Sequence, residues 1–212
     1  GFKEELYLAG ALCGTLDSGW REKPRHADFF DLKGALEELF ARLGIKTAEF
    51  NGEPREILED SSSCGIYINE KCIGLLGELR SEDLDKFDLK EKLFIFEINF
   101  SAILDDINLR RHFSAIPKYP SIKRDISFVV DEKVSSARIM QVIRREASAL
   151  IKEIRLFDKY DGGHIPPGKK SLAYSIEYRS NDRTLTDDEV NSLHSNIINT
   201  LISELGAQAR EK

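Results

Sequence analysis

The chain has 212 residues, 41% of them apolar, and a formal net charge of −6, a size that suits one large or two small domains. Cys13, Cys64 and Cys72 are odd in number and form no C-x-x-C pair, so neither a disulfide framework nor a four-ligand zinc site is expected. No apolar run approaches membrane-spanning length, and no basic and apolar leader opens the chain; the expectation is a soluble cytoplasmic protein in a reducing compartment, with no membrane contact.

The opening residues predict a strand through about Cys13, then a loop around Trp20 and Pro24. Because Gly1 leads directly into the strand-like Leu6 to Gly10, the chain reads as an excised piece. A helix follows, with Leu32, Leu36, Leu39, Phe40 and Leu43 on one side, Asp28 or Asp31 placed to cap its positive end, and Gly44 to stop it. Strands are expected at Ile45 to Phe50, Gly65 to Ile68, Cys72 to Leu79 and Leu93 to Phe100, with Asn69-Glu70-Lys71 turning the middle pair into a hairpin. This half is therefore mostly antiparallel α+β.

Little in it suggests chemistry. Gly74 and Gly77 lie within a strand and lack the following helix start that a phosphate cradle needs, so close packing is the expected reason for them. His26, His112, His164 and His194 stand isolated in sequence and read as surface or packing residues. Glu78 and Glu97 are either buried carboxylates or members of a solvated strand face.

A polar stretch containing Asp105, Asp106, Asn108, Arg110, Arg111 and His112 marks a domain boundary, giving domains 1–112 and 113–212. Charge changes sign there, from a net −8 before the boundary to a net +2 after it. A slightly basic second half can approach nucleic acid if its cations share a face.

In that second half Ile122, Arg124, Ile126, Phe128 and Val130 alternate with Lys123, Asp125, Ser127 and Val129, predicting a strand with Ile126, Phe128 and Val130 in the core. Ser135 or Ser136 caps a helix that buries Ile139, Val142, Ile143 and Leu150. The next strand is expected to carry Ile154, Leu156, Asp158 and Tyr160 on one face and Arg155, Phe157 and Lys159 on the other. After a turn-rich loop from Asp161 to Gly168, a further strand turns Leu172, Tyr174, Ile176 and Tyr178 inward and Ser171, Ala173, Ser175 and Glu177 outward. Thr186 and Glu189 form a capping box for a last helix with Val190, Leu193, Ile197, Leu201 and Leu205 buried, ended by Gly206. A short strand near Gln208 to Arg210 completes a ferredoxin-like βαββαβ order.

Two helices cover only one face of such a sheet. The other face is expected to present Lys123, Ser127, Arg155, Phe157, Lys159, Ser171, Ala173 and Ser175. Small residues around one ring leave room for a flat base, and the cations are placed to meet phosphates. Packing of Phe157 under a loop or against another domain is the alternative.

Taken together, these segments resemble the β subunit of bacterial phenylalanine–tRNA ligase. The second half resembles that family's ferredoxin-fold anticodon-binding domain through KYPSIKRDISFVV from Lys118, LFDKYDGGHIPPGKKSLAYSIEY from Leu156 and RTLTDDEV from Arg183. The first half resembles the same subunit's class II synthetase-like core through LAGALCG from Leu8, Trp20, DFFDLKGALEELFARLG from Asp28 and IGLLGEL from Ile73. Two departures stand beside these motifs: Glu59-Asp60-Ser61 replaces the family's usual His-Pro-Gly, and Arg80-Ser81 replaces a customary His-Pro pair.

The resemblance implies that residues 1–112 are a non-catalytic assembly core and that residues 113–212 bind the anticodon of phenylalanine tRNA. It also implies an α-subunit partner in a cytoplasmic heterotetramer, and ATP and Mg²⁺ used by the whole ligase with no cofactor in these residues. Catalytic and metal residues are expected to be absent. For tRNA it implies contacts from Phe157 and its neighbours Ser127, Ser171 and Ser175, with Lys123, Arg155, Lys159, Lys169 and Lys170 near the backbone. Arg124, Asp125 and Arg183 have a competing reading as a structural ion pair. Two alternatives of a different class remain: a small-molecule sensor, which would want a glycine-rich turn where Asp131-Glu132-Lys133-Val134 stands, and a protein-assembly module.

Overall fold

Apolar spacing and capping chemistry set the first helix. Asp28 accepts from the backbone N–H groups of Phe30 and Asp31 at 2.8 and 3.0 Å, and Asp31 accepts in return from Asp28 N at 2.8 Å. The helix so nucleated, α1 (Phe29–Arg42), buries Leu32, Leu36 and Phe40. Around it run β1 (Tyr7–Cys13), a minor hairpin of β2 (Thr15–Leu16) and β3 (Arg25–His26), β4 (Ala48–Gly52), β5 (Leu58–Ile68), β6 (Lys71–Leu79), the short α2 (Ser81–Lys86) and β7 (Leu93–Asn99). The computed structural model describes residues 2–209 except 18, 21, 22, 111, 112, 114, 148, 161, 163 and 164. Expectations placed on Arg111, His112, Asp161, Gly163, His164 and Arg210 lie outside the described residues.

The chain divides into units Gly1–Phe113 and Ser114–Lys212. In the first, the strands form an antiparallel sheet in the order β1-β7-β6-β5-β4. Its core gathers the buried side of α1 with Ile66, Leu76, Phe94 and Ile98. β5 is much longer than its Gly65 to Ile68 segment suggests, because the stretch before Cys64 carries no apolar alternation yet is still extended. Asn69 and Glu70, at φ 49° and 65°, make the two-residue turn between Ile68 and Lys71. Close packing accounts for the strand glycines: a Cβ on Gly74 would fall 2.1 Å from Glu97 O. Glu97 is exposed, and Glu78 is held by Lys92 at 2.7 Å.

The second unit runs β8 (Ile122–Asp131), α3 (Ser136–Glu146), β9 (Ile151–Tyr160), β10 (Lys169–Tyr178), α4 (Asp187–Leu205) and β11 (Gln208–Ala209). Its antiparallel sheet has the order β11-β8-β10-β9, the arrangement expected of a ferredoxin-like βαββαβ chain. Ile126, Phe128, Val130, Tyr174, Ile176 and Tyr178 pack against Ile139, Ile143, Val190, Ile197 and Leu201. Ser135 caps α3, accepting from Arg138 N at 3.2 Å. Leu150 packs on this core from beyond the helix, which stops at Glu146.

At α4 the expected capping box is only half formed. Thr186 Oγ1 accepts from Glu189 N at 3.3 Å, but the Glu189 carboxylate accepts instead from Arg183 Nη1 and Nη2 at 2.7 and 2.5 Å. Arg124 reaches the same helix start through Asp187 and through Asn191, to which its Nε donates at 3.0 Å. The ion pair expected among Arg124, Asp125 and Arg183 is thus replaced by pairs from the two guanidiniums to carboxylates of α4, Asp187 and Glu189. Gly206 closes α4 at φ 61°, a left-handed position that suits glycine. His194 is a packing residue: Tyr178 Oη lies 3.0 Å from its Nδ1, and burial keeps the imidazole below its usual pKa.

Candidate nucleic-acid interface

Directly paired residues in an antiparallel sheet carry their side chains on the same face, so the register fixes what the helix-free face presents. Lys123, Glu177 and Glu153 make one cross-sheet row; Asp125, Ser175 and Arg155 make the next. Ser127 and Ala173 follow, then Val129 and Ser171.

On β9 the alternation breaks. Tyr174 pairs with Leu156 and Ala173 with Asp158, so Phe157 has no cross-strand partner and forms a β-bulge. A bulge adds one residue and turns the strand beyond it over. Phe157, 52% exposed, lies on the helix-free face with Arg155 and Ser175. Beyond it Asp158 and Tyr160, opposite Ala173 and Ser171, join that face as well. The expectation that both share a face with Ile154 and Leu156, opposite Phe157, is therefore corrected.

The same inversion corrects Lys159, which pairs with Leu172 and so sits on the helix side. Lys170, paired with Val130, is also on that side; its Nζ donates to Glu132 O at 2.8 Å, and burial followed by the nearby Lys159 charge lowers its pKa. Lys169 lies opposite Asp131 on the helix-free side. Ser171 is 5% exposed and Ala173 8%, so these small side chains form a closed floor, and the expectation of Ser171 as an open contact is corrected. Ser127 and Ser175 are half-buried, while Lys123 and Arg155 are exposed.

Charge is distributed differently from the expected cationic rim. Lys123 pairs with Glu177 at 3.3 Å, and Asp125, Glu153 and Glu177 line the groove beside Arg155. Lysines collect instead at the opposite end of the sheet, where Lys133 follows β8 in the turn to α3 and Lys159, Lys169 and Lys170 lie at the facing ends of β9 and β10. Tyr160, 41% exposed, stands at that end, its ring so close to Gly162 that a Cβ there would fall 2.3 Å from the phenol oxygen. Period-two reading misses Asp158 and Tyr160 because it does not anticipate an extra residue; the adjacent bulky pair Leu156-Phe157 is the signal of the break. Among the described residues no group of His, Cys, Asp and Glu gathers to hold a metal, and no described helix is long and apolar enough to cross a membrane.

Comparison with known proteins identifies both units. The family model of the ferredoxin-fold anticodon binding domain matches residues 117–210, and that of the phenylalanyl tRNA synthetase beta chain CLM domain matches residues 1–100. The phenylalanine–tRNA ligase beta subunit of Clostridium tetani is 39% identical over 184 residues, covering 86% of this chain and 23% of the relative. That of Syntrophotalea carbinolica is 35% identical over 209 residues, 98% of this chain and 26% of the relative. The Bacillus cereus subunit is 34% identical over 211 residues, 99% and 26% of the two chains. The chain thus spans about a quarter of the length of the curated relatives it matches. Carrying two successive domains of that subunit, it belongs to the phenylalanine–tRNA ligase β-subunit family.

Proposed function

We propose that the second unit binds the anticodon segment of phenylalanine tRNA on its helix-free sheet face, and that the first unit is a non-catalytic assembly core. In this reading a cytoplasmic heterotetramer charges the tRNA, with ATP and Mg²⁺ chemistry supplied by the α subunit and no step routed through the residues present here. The β-bulge carries the proposal, because it sets two exposed rings and a carboxylate on one face. Phe157 and Tyr160 are platforms for bases, Asp158 is an acceptor for base N–H groups, and the closed floor of Ala173 and Ser171 lets a flat group approach. Lys133 and Lys169 follow the RNA backbone at the hairpin end. Lys123 and Arg155 lie among carboxylates and contribute less to phosphate binding.

Titration of phenylalanine tRNA against the full chain tests this. Base stacking contributes about 1–3 kcal/mol per ring, so Phe157→Ala or Tyr160→Ala should weaken binding roughly 5- to 150-fold. Affinity should also fall as salt rises. Unchanged affinity in both variants would refute the site. For the first unit, co-elution with the α subunit is the corresponding measurement.

A further inference from the structure

The end of the helix-free face away from the lysines poses a separate problem. Glu177 on β10 stands directly opposite Glu153 on β9, and like charges so placed destabilise a sheet. Lys123 relieves only one of them, lying 3.3 Å from Glu177, whose carboxyl is held below its usual pKa by the Ser121 hydroxyl and then by Lys123. Among the described residues neither Glu153 nor Arg155 has a hydrogen-bond or ion-pair partner. Both border an open groove of about 260 Å³ whose wall is the exposed Phe157 ring. A repulsive pair, an unspent guanidinium and a bare ring thus share one concave surface.

The geometry points to a nucleobase-edge subsite in this groove, selective for a base that carries an exocyclic amino group. The inference rests on the RNA-binding reading above and deepens it. Carboxylates are acceptors only. An amino group brought between Glu153 and Glu177 donates to them and relieves their repulsion, while Arg155 donates to the ring nitrogen or carbonyl beside it, and Phe157 takes the base's face. A phosphate is repelled by the same carboxylates. A base that offers a carbonyl oxygen in the amino group's place sets acceptor against acceptor.

Cytosine and uracil differ in this way at one ring position, cytosine carrying the amino group and uracil the oxygen. Fluorescently labelled tetracytidylate and tetrauridylate, titrated against the full chain by anisotropy at matched salt, are therefore the probes. The cytidine strand should bind about tenfold more tightly. Glu153→Gln combined with Glu177→Gln should bring the ratio near one, chiefly because the uridine strand binds better. Phe157→Ala should weaken both strands and leave the ratio in place. Equal binding of the two strands, or a preference that survives the double substitution, overturns the subsite while leaving tRNA binding intact. Loss of all binding by the unsubstituted chain, tRNA included, overturns the RNA reading beneath it.

Discussion

Deleting Phe157 should leave the second unit folded. Because Tyr174 pairs with Leu156 and Ala173 with Asp158, removing the residue between them joins two correctly registered stretches and sacrifices no cross-strand pair. The ring is half exposed, so the expected cost is about 1 kcal/mol or less. Deleting Ser175, the residue across the sheet on a regular stretch, is the opposite case. A one-residue slip turns over all side chains on one side of it, exposing either Leu172 and Tyr174 or Ile176 and Tyr178, which are at most 2% exposed. At roughly 1.5–3 kcal/mol each, two such side chains cost about 3–6 kcal/mol, comparable with the whole stability of a small domain. Hydrogen exchange of the β8 and β10 amides in the full chain reads both costs directly. For tRNA, deletion and Phe157→Ala should be equivalent, since Asp158 and Tyr160 keep their places. If deleting Phe157 opens the sheet as deeply as deleting Ser175, the bulge assignment is wrong.

Two glycines should respond to alanine with opposite signs. Gly34 lies exposed within α1, where an alanine methyl would meet nothing within 4 Å, so Gly34→Ala should stabilise the first unit by about 0.5–1 kcal/mol in urea unfolding. Gly74→Ala, whose Cβ would meet Glu97 O at 2.1 Å, should destabilise it by about 2–3 kcal/mol in the same assay. Thr186→Ala removes the acceptor of the Glu189 N–H and should cost about 1 kcal/mol, seen as faster exchange in the first turn of α4. Arg25, and then the Asp28 backbone N–H, lower the Asp31 pKa from 3.8 to about 2. A depressed carboxyl favours the fold above its unfolded pKa, and that contribution is lost as pH falls from 3.8 toward about 2. Asp31→Asn should flatten the stability profile of the first unit in that window, measured by unfolding at stepped pH.

Helices are legible in the sequence because their signals are local. Asp28 before an apolar stripe, Ser135, and Thr186 ahead of a stripe closed by Gly206 each fix a boundary with a few residues. The ferredoxin-like order follows, since Ile126, Phe128 and Val130 and the run from Leu172 to Tyr178 alternate without interruption. The binding face is less legible, and β9 shows why. As an edge strand it buries only Ile154 fully enough to mark the core side, so nothing apolar announces that the pattern inverts after Phe157. Simple alternation therefore puts Lys159 on the wrong side and passes over Asp158 and Tyr160. The carboxylates of the groove are visible as residues, but their convergence depends on register across three strands.

The bidentate grip of Arg183 on Glu189 and the contact of Arg124 with Asp187 have a consequence for how a polyanion can dock. A helix start with bare N–H groups ordinarily attracts phosphate. Here Asp187, Asp188 and Glu189 crowd the first turn of α4, and the two guanidiniums beside it are already engaged. A strand approaching that flank finds its attractive end occupied from within, which leaves the lysine-bearing rim as the more hospitable landing ground.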